Sequence, residues 1–204
     1  IVLAVPLGVL AAWRAGSWVD QAIMAGSVLA FSVPVFLIGY GLVIGFSLEL
    51  EWLPVQGFVS LSDDPLGFVS HLILPTIALG LVYTALLARI TRATMLETLN
   101  EDFIRTARAK GLGEPRVLIL HALKNASVPI VTTIGTGLAL LIGGVVVTES
   151  VFAVPGIGRL TIEAVLQRDY PVIQGVILVI AGVYVLVNLA IDLTYSLLDP
   201  RIRY

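Results

Sequence analysis

Apolar residues in this chain come in long runs separated by short polar stretches. The runs cover residues 1–13, 22–48, 71–88, 128–148 and 172–198. A helix needs about 20 mostly apolar residues to cross a bilayer. The last four runs predict membrane-spanning helices. The first is too short to span alone and reads as the end of a helix begun upstream. The pattern therefore predicts an all-α, polytopic transmembrane bundle with five spans, the first truncated. Pro34 and Pro75 fall inside spans and predict kinks. Small residues recur at four-residue spacing: Ala22, Gly26 and Ala30, then Thr76, Gly80, Thr84 and Ala88, then Gly135, Ala139 and Gly143. Such faces let helix backbones approach closely in lipid. They read either as bundle packing or as a sliding or pore-lining interface.

Composition supports a membrane solvent. Of 204 residues, 58% are hydrophobic and 13% charged, and mean hydropathy is +1.00. Soluble domains run near 45–50% apolar and about 25% charged. Soluble globular and disordered chains are excluded. The chain opens on Ile1 inside an apolar run, so a further N-terminal portion is expected. No basic segment precedes that run and no small-residue cleavage site follows it, so it does not read as a signal peptide.

Charge fixes orientation. Arg14, the connection holding Arg89, Arg92, Arg105, Arg108, Lys110, Arg116 and Lys124, and the tail with Arg201 and Arg203 carry ten of the twelve basic residues. The stretch 49–70 has none and holds Glu49, Glu51, Asp63 and Asp64. The excess of Lys and Arg places the basic connections and the C-terminus in the cytoplasm. The net charge of −2 gives no case for nucleic-acid binding. Absence of cysteine excludes disulfides, thiolate metal sites and cysteine nucleophiles. His71 and His121 stand alone, so no metal site is expected. Asp192 is the one ionisable residue well inside an apolar run; Glu149 and His71 sit at span ends. That scarcity argues against a proton- or sodium-coupled carrier. There is no HExxH, no GxSxG and no Walker A pattern, so this chain is not expected to be an enzyme or to bind ATP or another cofactor itself. Trp52 reads as an interfacial anchor.

The connection 89–127 carries most of the remaining information. Its segment 97–125 predicts two short helices. Asn100 is a good N-cap. Glu101 and Asp102 suit the first turn, Arg108 and Lys110 the last, and Gly111 a C-terminal stop. Phe103, Ile104 and Ala107 give an apolar stripe. Pro115 opens the second helix, which carries Val117, Leu118, Ile119, Leu120, Ala122 and Leu123 and closes at Lys124 and Asn125; Pro129 opens the next span. Two amphipathic helices joined at Gly-Leu-Gly lie either on lipid headgroups or in the groove of a cytoplasmic partner. On the other side, 149–171 forms an outer loop. Its Pro155, Gly156 and Gly158 and the amphipathic stretch 160–166 read as an external gate, a contact for an external protein, or a surface hairpin.

Arg105-Thr-Ala-Arg-Ala-Lys-Gly111, followed by His121-Ala-Leu-Lys-Asn125, resembles the EAA loop of ABC importer permeases. Ala107, Gly111 and Leu123 match that motif. Arg105 stands at its Glu, Thr106 at its first Ala, His121 at its Ile and Lys124 at its Pro. The segments 101–112, 151–159, 168–175 and 197–204 resemble the B-type permeases of dipeptide, oligopeptide and nickel importers over essentially the whole chain. The resemblance implies one permease domain over 1–204, paired with a C-type permease subunit in lipid. It also implies two cytoplasmic ATPases, which use ATP and Mg, and an extracytoplasmic solute-binding protein. Arg105, Thr106, Ala107, Gly111 and Leu123 would then form the ATPase-coupling loop. A proton-coupled peptide symporter would need the intramembrane acids that are scarce here. A non-transporting scaffold would have no use for the loop spacing.

Overall fold

The apolar runs fold as helices. A computed structural model describes residues 1–198, and among them there is no strand. The tail 199–204, with Arg201, Arg203 and most of the 197–204 motif, lies outside the described residues. So do the side chains of Ala139 and Gly143. The helices are α1 (Ala4–Trp13), α2 (Trp18–Ser32), α3 (Val35–Leu42), α4 (Pro65–Leu99), α5 (Asp102–Ala109), α6 (Glu114–Arg116), α7 (Lys124–Phe152), α8 (Ile157–Gln167) and α9 (Tyr170–Leu198). Wider π-helical turns extend α3 over Val43–Glu49 and join α6 to α7 over Val117–Leu123.

Among the described residues, three helical stretches are long and apolar enough to cross a membrane: Pro65–Leu99, Glu114–Leu138 and Tyr170–Thr194. The number rises to five if two broken pairs each count as one span. The run 22–48 is one of these pairs and departs from the predicted kinked helix. α2 ends at Ser32, and Pro34 is extended (φ −56°, ψ 138°). Its carbonyl accepts from the N–H groups of Leu37 and Ile38 and so starts α3. Proline donates no N–H and disfavours helix at the residue before it, here Val33. Pro75, by contrast, stays inside α4, flanked by the nearly inaccessible Leu74 and Ala78.

A second departure lies at Asn125 and Pro129. The predicted second loop helix does not stop there but continues from Glu114 to Phe152. Membrane helices tolerate proline where π turns and Ser or Thr side chains satisfy the freed backbone groups. Pro129 removes the helical donor to the Asn125 carbonyl; the π turns end before it at Leu123, and Ser127 Oγ donates to the neighbouring Lys124 carbonyl at 2.7 Å.

The helices belong to two compact units. The first contains Ile1–Phe31, Thr84–Gly137 and the described residues from Val187. In it α1 crosses α4 closely. A side chain on Gly8 would place its first carbon 2.7 Å from the Ala88 carbonyl oxygen. Gly135 likewise leaves room for Ile191 of α9. The second contains Ser32–Tyr83 and Leu138–Leu186. Its core is Val43, Leu74, Ala78, Val151 and Phe152, with Ile38, Phe46 and Val154 packed against it. The small-residue face of α4 is used at Ala88, against α1, but nothing lies within 4 Å of a side-chain position at Gly80, nor at Gly26 of α2.

Candidate functional site

Residues 105–123, the predicted coupling loop, lie in the first unit. α5 starts after Glu101, whose extended backbone (φ −70°, ψ 150°) occupies the N-cap position. Asn100, the predicted cap, instead donates its side chain to the Leu96 carbonyl at 2.9 Å and closes α4. One face of α5 is apolar, and Ile104 and Ala107, three residues apart, are buried. Phe103 of the predicted stripe is exposed. α5 packs on the π turns, and the π turns also meet α1. Val117, Leu118 and Ala122 face inward and Leu123 is half-buried, while Ile119 and Leu120 are exposed. The spacing of five between Val117 and Ala122 is what a wider turn presents to one side.

Gly111 ends α5 in a left-handed conformation, φ +78°. Its N–H donates to the Arg108 carbonyl at 2.9 Å, and that of Leu112 to the Ala107 carbonyl at 3.4 Å. This is the Schellman closure, which satisfies carbonyls a helix end leaves open. Arg108 then reaches across the Gly-Leu-Gly turn to Glu114, Nε to Oε1 at 2.8 Å. Arg105 contacts Asp102 at 3.2 Å, but both side chains are mostly in solvent. Such a pair contributes little, which leaves the guanidinium available. Arg105, Thr106, Ala109, Lys110 and Gly111 thus form an exposed knob, and nothing lies within 4 Å of a side-chain position at Gly111. Ala107 points the other way and seats the knob on its own chain.

The second predicted group, Pro155, Gly156 and Gly158, lies in the other unit, at an elbow. The Gly144–Phe152 end of α7 meets α8 at 88°. Residues 149–171 are therefore mostly helical, and Glu149 belongs to the last turn of α7. The carbonyls at that end are satisfied from the 50–64 segment: Gln56 Nε2 donates to Val151 O at 2.9 Å and Gly57 N–H to Phe152 O at 3.0 Å. Glu149 Oε2 accepts from the Arg159 N–H at 2.8 Å. That places a carboxylate at the positive end of α8. The approach requires glycine. A side chain on Gly156 would run into the Glu149 carboxylate, and one on Gly158 would start 2.6 Å from the Val146 Cα. An open groove of about 520 Å³ lies over this end, lined by Pro155, Gly156, Ile157, Arg159, Leu160 and Glu163. Farther on, Arg168 adopts φ +57° and Asp169 Oδ1 accepts from the Val172 N–H at 3.2 Å. The Arg-Asp-Tyr-Pro wording at 168–171 is thus a turn followed by a cap for α9.

Removing the Glu149 contact gives a direct prediction. Glu149→Ala is expected to cost about 1.5–3 kcal/mol, the range for a hydrogen bond to a charged group. Glu149→Gln keeps an acceptor oxygen and should retain most of it. Amide hydrogen exchange at Arg159 should accelerate in the alanine variant only.

Sequence reasoning missed one pairing, because its members are far apart in the chain. Asp20, in the first turn of α2, is buried and bonded by both carboxylate oxygens to Arg92 of α4 at 2.5 and 2.7 Å. An acid at the start of an apolar run reads locally as a helix-start residue, and nothing in its neighbourhood points 72 positions ahead. His71 donates from Nδ1 to the Gly67 carbonyl at 2.7 Å and serves its own helix. Among the described residues no three His, Asp or Glu side chains gather as metal ligands.

Residues 4–204 match the family described as the binding-protein-dependent transport system inner membrane component. The chain is 54% identical, over all of its length, to a probable peptide ABC transporter permease of Sinorhizobium fredii, of which it covers 65%. It is 44% identical over 98% of its length to the dipeptide transport system permease of Escherichia coli, covering 66% of that protein. It is 43% identical over 97% of its length to a di/tripeptide transport system permease of Pseudomonas aeruginosa, covering 65%. The chain thus spans about 65% of the length of the curated relatives it matches.

Proposed function

Since this chain belongs to the family of binding-protein-dependent transport system inner membrane components, a family of multi-pass membrane permeases, we propose that it forms part of the pathway of an ATP-driven importer for short peptides. The peptide assignment rests on the names of its relatives, which are peptide, dipeptide and di/tripeptide permeases. A C-type permease subunit completes the pathway. Two ATPases bind from the cytoplasm and use ATP with Mg, and a solute-binding protein delivers the peptide from outside. The basic connections and the C-terminus face the cytoplasm.

The observation that carries the coupling reading is the α5 knob. It combines an exposed face with a buried one, so a partner that grips Arg105, Thr106, Ala109 and Gly111 moves whatever Ile104 and Ala107 are seated on. Helix-in-groove docking of this kind uses one face of a short helix. Closure of the ATPases would draw the knob with them and switch the pathway between two arrangements, a rigid-body transition. Leu123 ties the knob to the following span. At the outer side, Pro155, Gly156 and Gly158 hold α8 as an external gate.

Proteoliposomes holding the full-length chain with its partner subunits test this reading. Labelled dipeptide should enter only with ATP at the ATPase side and binding protein at the other, and a protonophore should leave uptake unchanged. Uptake driven by a proton gradient without ATP would instead establish the symporter reading.

A further inference from the structure

The first unit contains a charged contact to which neither the family match nor the loop motif assigns a task. Both oxygens of the Asp20 carboxylate are engaged by Arg92, through Nε and Nη2. Oδ2 also accepts from the Gly16 N–H at 2.9 Å. The Asp20 side chain is 4% exposed and that of Arg92 27%. A pair this enclosed gains little net stability over an apolar packing of the same volume. What it does supply is a single fixed geometry: the planar guanidinium fork meets the carboxylate in one orientation.

Its surroundings show what that geometry fixes. One stretch of α4, from Ala88 to Arg92, meets three other parts of the unit. Ala88 and Thr91 form the surface against which Gly8 brings α1. Arg89 places its guanidinium over the Phe31 ring at 5.4 Å, near the end of α2. Arg92 grips Asp20 at the start of α2 and, through Gly16, the turn before it. The two arginines therefore hold α2 at both of its ends. From Arg92, α4 runs only seven more residues to Leu99, about 10 Å of helix, before the chain turns into α5.

We propose that the Asp20–Arg92 pair is a strut that carries displacement of the α5 knob into α1 and α2, and that Asp20 and Arg92 are positioning residues for coupled transport. The proposal rests on the importer reading given above. Without the strut, α4 still reaches the knob but can slide against α2. The ATPases then turn over without moving the pathway.

The test uses the full-length chain in its reconstituted complex and reads ATP hydrolysed per peptide imported. A merely structural role would lower hydrolysis and import together and leave that ratio alone. Asp20→Asn and Arg92→Gln are expected to keep hydrolysis and raise the ratio about tenfold, the scale of a typical coupling free energy. The exchange Asp20→Arg with Arg92→Asp should bring the ratio back toward the original value. Arg92→Lys keeps the charge and loses the fork, and should give an intermediate ratio; it is the decisive variant if the neutral ones do not assemble. An unchanged ratio in Arg92→Lys, or in the neutral variants once assembled, would overturn the strut while leaving the importer reading intact. An unmodified complex that imports no peptide with ATP would overturn the importer reading, and the strut with it.

Discussion

Gly158→Leu is expected to separate α8 from α7 and to abolish uptake. The position has no slack. The first carbon of any side chain would sit 2.6 Å from the Val146 Cα and 3.0 Å from Glu149 Oε2. The nearest obstacle is backbone in the middle of a helix, so no change of rotamer can relieve it. Overpacking a well-packed site costs about 1–3 kcal/mol, and alanine alone should approach that range here. Leucine must push α8 away, and with it the Arg159 N–H that the Glu149 carboxylate holds. The α7 end should remain in place, because Val151 and Phe152 are anchored in the Val43, Leu74 and Ala78 core. Limited proteolysis of the full-length chain should therefore show a new cut between 153 and 158, with the rest of the chain protected. A leucine variant with native protease resistance and normal uptake would show that α8 does not depend on this contact.

Gly111→Trp is the second large effect, and it separates docking from folding. Gly111 has φ +78° and open space around it. A non-glycine residue in the left-handed region costs about 1–2 kcal/mol, a loss that a folded chain absorbs. The indole then projects from the knob where a partner groove would close. Uptake is expected to fall about 100-fold, equivalent to about 2.7 kcal/mol of lost coupling, while the chain still accumulates in the membrane. Gly111→Asn provides the contrast. Asparagine tolerates the left-handed conformation and is small, so it should retain most of the uptake. If both variants lose uptake equally, the backbone conformation matters and the docking surface does not.

Much of this organisation was legible in the sequence. The runs 71–88, 128–148 and 172–198 lie within α4, α7 and α9, because about 20 apolar residues in a row leave few options other than a helix in lipid. The acidic start, basic end and Gly111 stop located α5 to within two residues. Other features were hidden for identifiable reasons. Hydropathy cannot see the break at Pro34, since the chain is apolar on both sides of it. Pro34 and Pro75 look alike in sequence; one is exposed and starts a helix, the other is buried within one. Ala107 matched a motif, yet the structure turns it inward, and the exposed contacts fall to its neighbours. In sequence Gly156 and Gly158 read as part of an external gate, a protein contact or a surface hairpin, but their constraint comes from Glu149 and Val146 in the preceding helix. The Asp20–Arg92 pair needs a contact across 72 positions, which no local pattern encodes.

Purification of the full-length tagged chain from its native membranes in mild detergent tests the central claim most directly. The account predicts that P-loop ATPases and a second, related permease come with it, and that Gly111→Trp loses the ATPases but keeps the permease. A chain that purifies alone under every condition, or that holds its ATPases equally well with tryptophan at 111, would contradict coupling through the α5 knob.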